Sequence, residues 1–302
     1  METTGSHRSR RAVLALGAGT ALAAAVPTAA SASTPGRVGL AAQLRDLEQQ
    51  YSARLGVFAR DTATGRTVKY RADERFPMCS VFKTLAAAAV LRDRDDDFLG
   101  HRIRYTEKYV TDSGYAPITG KSENLANGMT VGELCAAAVS YSDNGAGNLL
   151  LGELGGPAAV TGFCRSIGDG TTRLDRWEPD LNSAEPWRKT DITSPRAIGQ
   201  TYARLVLGST LTTADRTRLT RWLVANTTNG ERFRAGLPAD WTLADKTGGG
   251  KQYGVANDVG IVWPPGRPPL VLSVLSTKFD PEGPTDNPLV AKAAALVAAA
   301  LT

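Results

Sequence analysis

Residues 76–91 read FPMCSVFKTLAAAAVL, an apolar, alanine-rich run that opens on Ser80 and carries Lys83 near its start. Alanine and leucine are strong helix formers, so the run predicts a helix over 80–92. It is apolar on every side, which predicts that the helix is buried. A lysine one turn into such a helix either snorkels to water along its own stem or works inside. Residues three apart on a helix share a face, so the Lys83 amine can reach the Ser80 hydroxyl. Taken alone the pair is ambiguous, because an N-capping serine with a snorkelling lysine explains the same spacing.

Outward from this run, the signals divide by type. Leu40–Ala53 has helical spacing. Leu55–Arg60 and Thr67–Tyr70 flank DTATGR, whose Thr-Gly reads as a hairpin turn. Towards the other end, Thr242–Asp245, Asn257–Trp263 and Leu270–Ser276 are short, β-rich and separated by Gly or Pro, and Leu289–Leu301 is a closing helix. Between them the pattern is helical over 80–92, 130–140, 143–154, 157–167, 194–207 and 212–225. Strands come from both ends and helices from the middle. This predicts a five-stranded antiparallel sheet flanked by terminal helices, an α/β part over 33–79 and 226–302, with a helical domain over 80–225 inserted in it. A cleft between the two is the natural place for a site.

The chain has 302 residues, 42% hydrophobic and 22% charged, the balance of a globular protein. Residues 6–32 combine a basic start, an apolar stretch from Ala12 to Val26 and an Ala-x-Ala site ending at Ala32. They read as a cleaved export signal over 1–32, and Arg10-Arg11 gives it a twin-arginine character. The apolar stretch is short of the roughly 20 residues that span a bilayer, and no cysteine follows the site, so no membrane anchor is expected after cleavage. Of the net charge of +5, a net +2 sits on Glu2, Arg8, Arg10 and Arg11, which leaves +3 beyond the signal. The basic residues are scattered with no aromatic-basic groove, and no nucleic-acid partner is expected. His7 lies in the signal, so His101 is the one remaining imidazole. With Cys79, Cys135 and Cys164 all in apolar contexts, no metal site and no cofactor are expected, and proton transfers must fall to carboxylates and amines.

Three further motifs stand beside Ser80-x-x-Lys83. Ser142-Asp143-Asn144 precedes an apolar helix and reads equally as an N-cap. Lys246-Thr247-Gly248, followed by Gly249-Gly250, ends a strand; glycines there allow close approach of another molecule, or simply make a surface turn. In RWEPDLN, Arg176 to Asn182, the side chains of Glu178 and Asn182 are four apart and converge on a helical turn, where they could hold one water. Each motif singly is weak.

Together, and in this order, they are the S-x-x-K, S-D-N and K-T-G set of class A β-lactamases and penicillin-binding proteins. With RLDRWEPDLN, ELCAAAVSYSDNGAGNLLL and LADKTGGG, the chain resembles a class A serine β-lactamase over nearly its whole length beyond the signal. The resemblance implies that Ser80 is the acylated nucleophile and that the N–H groups of Ser80 and Gly249 form the oxyanion hole. Either Lys83 or Glu178 takes the serine proton, and Glu178 activates the deacylating water with Asn182 orienting it. Ser142 relays a proton to the leaving nitrogen beside Lys246. Asn144 binds the substrate's side-chain amide, Lys246 and Thr247 its carboxylate, Gly248 lies in the same binding strand, and Tyr115 stands at the cleft mouth. Arg176 and Asp191 pair to close the loop over 173–191.

The chain departs from the family in two places. YGVANDVG lacks the arginine that many members carry after K-T-G; Arg232 in NGERFRAGLP is the expected replacement, ahead of Arg234. A frequent disulfide has Cys135 but Ala87 opposite, and no cysteine near Gly249-Gly250 matches Cys79, so no disulfide is expected. The implied activity is hydrolysis of small β-lactams, penicillins and some cephalosporins, by a secreted monomer. A β-lactam sensor and a D-Ala-D-Ala carboxypeptidase share three of the motifs but generally lack the water-holding glutamate.

Overall fold

Alternation of side chains decides how the strands are used. The computed structural model describes residues 39–302; the expected export signal over 1–32 lies outside them. Five antiparallel strands, β1 (Arg54–Asp61), β2 (Thr67–Tyr70), β3 (Thr242–Gly249), β4 (Ala256–Trp263) and β5 (Leu270–Thr277), form one sheet in the order β2-β1-β5-β4-β3. Asp61 shapes the β1–β2 hairpin by accepting the Ala63 N–H at 2.8 Å, and Gly65 supplies the positive φ of 73°. Successive residues point to opposite faces, and both faces are covered. Val57, Ala59, Leu272 and Val274 join one core with the terminal helices α1 (Leu40–Gln50) and the C-terminal Asn287–Leu301. Phe58, Val259, Ile261, Val271 and Leu275 face the other way into a larger core.

That larger core is built on α2 (Phe82–Asp93), in which Lys83 and all nine other residues from Phe82 to Leu91 are buried. Around it stand α3 (Val131–Ser140), α4 (Asn144–Leu154), α5 (Pro157–Ser166), α6 (Pro195–Val206) and α7 (Thr213–Val224); Asn287–Leu301 is α8. Alanines 86–89 keep α2 narrow enough for neighbours on every side. Ser194 caps α6 by accepting the Ala197 N–H, and Thr130 and Glu133 form a capping box on α3. Gly155 in the left-handed region ends α4 before Pro157 opens α5.

Three details differ from expectation. β3 runs on through Lys246-Thr247-Gly248 to Gly249, because its ladder to β4 continues to the pair Gly249↔Ala256 and overrides the low strand propensity of lysine and glycine. The 80–92 helix begins as a 3₁₀ turn, Cys79–Val81. Short helices at Asp96–Gly100, Glu107–Ser113, Ser122–Asn127 and Phe233–Gly236 carried too little periodicity to be read. The three cysteines are buried free thiols, and His101 is exposed.

Candidate active site

A cleft of about 600 Å³ opens beside the amino end of α2, and Ser80, Ser142, Asn144, Asn182, Arg232 and Thr247 are among its lining residues. Ser80 sits on the 3₁₀ turn that leads into α2, after Cys79 at a positive φ of 48°. The first N–H groups of a helix have no intrahelical acceptor, so the Ser80 amide belongs to the electropositive end. Gly248 must be glycine: a Cβ there would lie 2.8 Å from the Met78 carbonyl oxygen. The end of β3 thus presses directly on the turn carrying Ser80.

Lys83 is fully buried, and its Nζ lies 2.9 Å from Ser80 Oγ, 2.8 Å from Ser142 O, 2.6 Å from Asn144 Oδ1 and 3.0 Å from Glu178 Oε1. It does not snorkel. The Ser142 carbonyl and the Asn144 Oδ1 are obligate acceptors and use two N–H groups, which leaves Ser80 and Glu178 to share the third position around the amine. Glu178 Oε1 is also 3.4 Å from Ser80 Oγ. Ser80 Oγ therefore has an amine and a carboxylate within reach.

Ser142 lies between α3 and α4 at φ 59°. It is not the cap of α4: Asp143 is, accepting the Ala146 N–H at 2.8 Å, and it also accepts the N–H groups of Ile118 and Thr119 at 2.8 and 2.9 Å. These bonds hold the loop that presents Tyr115, 58% exposed at the cleft rim. Lys246 Nζ donates to Ser142 Oγ at 2.9 Å. Burial, with Lys83 and Arg232 nearby as like charges, holds the Lys246 amine well below the ordinary lysine range.

The loop over 173–191 brings Glu178 in from the far side. Arg176 Nε pairs with Asp191 Oδ2 at 2.8 Å, and Asp191 Oδ1 accepts the N–H groups of Asp175 and Arg176. The Glu178–Pro179 bond is cis. Asn182, on the 3₁₀ turn Asp180–Ser183, donates its Nδ2 to Glu178 Oε2, while its Oδ1 is buried without a protein donor.

Arg232 donates to the carbonyls of Gly248 and Asn257, each at 2.7 Å, and to Asn287 Oδ1 at 2.7 Å. Its guanidinium thus lies against the end of β3. Arg234 bonds instead to the carbonyls of Ala239 and Trp241, and is not among the residues lining the cleft. Gly249 lines the cleft at the last position of β3.

Sequence reasoning missed Asn148. Its amide grips the Glu178 backbone from both sides, accepting from N at 2.9 Å and donating to O at 2.9 Å. Its one legible trace is the four-residue spacing from Asn144 on α4. Thr228, hydrogen-bonded to Thr247 across the cleft floor, had no motif at all.

Residues 39–301 match the profile of the "Beta-lactamase enzyme family". The chain is 69% identical to a β-lactamase of Kitasatospora aureofaciens and 65% identical to one of Streptomyces lavendulae, in each case over the full length of both chains. A solved structure, the β-lactamase from Streptomyces albus G, superposes with a TM-score of 0.86 at 62% identity, covering 87% of this chain and 99% of that one. With a serine, two buried lysines and a glutamate meeting at one cleft, the chain belongs to the class A serine β-lactamases, a family of β-lactam hydrolases.

Proposed function

We propose that the protein opens the β-lactam amide of penicillins and some cephalosporins by forming an acyl-enzyme on Ser80, which a water activated by Glu178 then hydrolyses. The observation that carries this reading is the position of Ser80 Oγ, 2.9 Å from Lys83 Nζ and 3.4 Å from Glu178 Oε1. Ser80 loses its proton to one of these two bases as Oγ bonds to the lactam carbonyl carbon. The amides of Ser80 and Gly249 stabilise the oxyanion; losing one such donor typically costs about 3 kcal/mol of barrier. When the carbon–nitrogen bond breaks, the nitrogen takes a proton through Ser142, which Lys246 contacts. In the second half Glu178 removes a proton from water, the hydroxide attacks the ester, and Ser80 recovers its proton. The buried Asn182 Oδ1 offers the acceptor that would orient this water.

Lys246, Thr247 and Arg232 supply the positive and hydroxyl groups for the substrate carboxylate, Asn144 its side-chain amide partner, and Tyr115 a wall at the mouth. Action outside the cytoplasm as a monomer, after removal of residues 1–32, completes the reading. Among the described residues no helix is long and apolar enough to cross a membrane. Mixing purified protein with a chromogenic cephalosporin tests the function: sustained turnover is expected, whereas one stoichiometric burst and then silence would assign it to the sensor or peptidase class.

A further inference from the structure

The pair Arg176–Asp191 closes the neck of the 173–191 loop, together with the backbone bridge between Arg173 and Ile192. A second arginine, Arg188, occupies the loop's interior with its side chain only 13% exposed. Every nitrogen of its guanidinium is engaged. Nε donates to Thr190 O at 3.1 Å, Nη1 to Ser183 Oγ at 2.5 Å and Glu185 Oε2 at 2.8 Å, and Nη2 to Leu181 O at 2.9 Å. Nη2 also lies 3.5 Å from Asp191 Oδ2.

The bond to Leu181 O bears on catalysis. That oxygen and the Asn182 N–H belong to one planar peptide unit. Arg188 holds the unit at its oxygen, and Pro179 O accepts the Asn182 N–H at 3.0 Å on the other edge. A plane held at both edges fixes the direction in which the Asn182 side chain leaves the backbone, and that side chain donates to Glu178 Oε2. Ser183, the next residue, is gripped by Arg188 and by Arg176 Nη2 at 3.1 Å, which joins the interior of the loop to its neck. Asp191 thus faces two guanidinium groups, and Arg188 also pairs with Glu185.

We propose that Arg188 is a positioning residue for the deacylation step: its planar fork sets the Leu181–Asn182 peptide and so keeps Asn182 and Glu178 where a water can be held and activated. The proposal rests on the reading of Glu178 as the base that releases the acyl group. Acylation has Lys83 available as a base, 2.9 Å from Ser80 Oγ and out of contact with Arg188, whereas deacylation depends on Glu178 and Asn182. Removing the fork should slow the second half-reaction and leave the first.

The test is steady-state and stopped-flow kinetics of Arg188→Ala, Arg188→Lys and Glu178→Ala with a penicillin and a chromogenic cephalosporin, below the melting transition of each variant. For Arg188→Ala, kcat should fall up to about 10²-fold, the scale set by misplacing a catalytic group by an ångström. KM should fall in parallel, kcat/KM should stay near the parent value, and a burst of one equivalent should appear. Arg188→Lys keeps the charge but cannot bridge Leu181 O and Ser183 at once, so its kcat should lie between the two; it carries the test if the alanine variant does not fold. A purely structural role would lower Tm and leave both kcat and the burst as in the parent, and that result overturns the proposal. Glu178→Ala separates the two failures. If it traps acyl-enzyme while both Arg188 variants turn over normally, the Arg188 proposal alone is wrong; if it traps nothing, the reading of Glu178 falls and the Arg188 proposal with it.

Discussion

Lys246 shows how a single side chain's surroundings set the working range of the site. It is fully buried beside Ser142, with Lys83 and Arg232 as nearby like charges, and its amine is held well below the ordinary lysine range. On the carboxylate-binding role proposed for Lys246, loss of the ammonium as pH rises through that lowered value removes its attraction to the substrate. The alkaline limb of kcat/KM should accordingly begin below the pH at which an ordinary lysine titrates. In Lys246→Arg, whose guanidinium stays charged, the limb should move to higher pH; an unmoved limb in a full pH–rate profile would take this role from Lys246. Residues of this kind were legible because each sits in a short motif with fixed spacing. Asn148 and Arg188 were not, since the contacts by which they bear on Glu178 and Asn182 are to backbone atoms of a segment remote in sequence or inside an irregular loop. No periodicity reports such contacts.

Among the elements, the end of β3 and its support decide the site's shape. Asp245 on β3 and Asp258 on β4 are both fully buried. Asp245 accepts from Asn226 and Asn229, and Asp258 accepts the Phe233 N–H at 3.1 Å, next to Arg232. Burial first, and then the Asp245 charge, push the Asp258 carboxyl well above the ordinary carboxylate range. A raised carboxyl binds its proton more tightly folded than unfolded. Its contribution to stability is therefore complete below the unfolded value and is lost as pH rises through the folded one. Asp258→Asn keeps the shape of the side chain and cannot ionise, so its stability should fall less than the parent's between pH 5 and 8. Urea unfolding at both ends of that range checks this, and equal slopes would refute it. The strand signal itself was legible only as far as Asp245; the four residues beyond are held in the strand by pairing with β4, which sequence does not display.

At the level of the whole molecule, the sheet and the helical layer share one core. Phe58, Val259, Ile261, Val271 and Leu275 on the sheet join the same buried cluster as α2 and its neighbours. The order of strands and helices along the chain made this architecture readable, because strands at both ends and helices between leave few ways to bury the apolar faces. The continuity of the core was not readable, as it depends on which face of each strand meets α6. Leu275→Ala cuts into it, and should destabilise the protein by about 2–5 kcal/mol. Loss of far-UV dichroism and loss of activity should coincide in one transition for parent and variant. If activity disappears in a separate, earlier transition, the helical layer unfolds independently of the sheet and the shared core is not what holds them together.

The measurement that bears most directly on the proposed chemistry is the intact mass of Glu178→Ala after mixing with a penicillin. Ring opening adds the whole substrate to the protein, so a single adduct of that mass should form, map to Ser80 and persist. Unmodified protein turning over substrate at the parent rate would contradict the account, because release of the acyl group would then not need the carboxylate that the loop delivers.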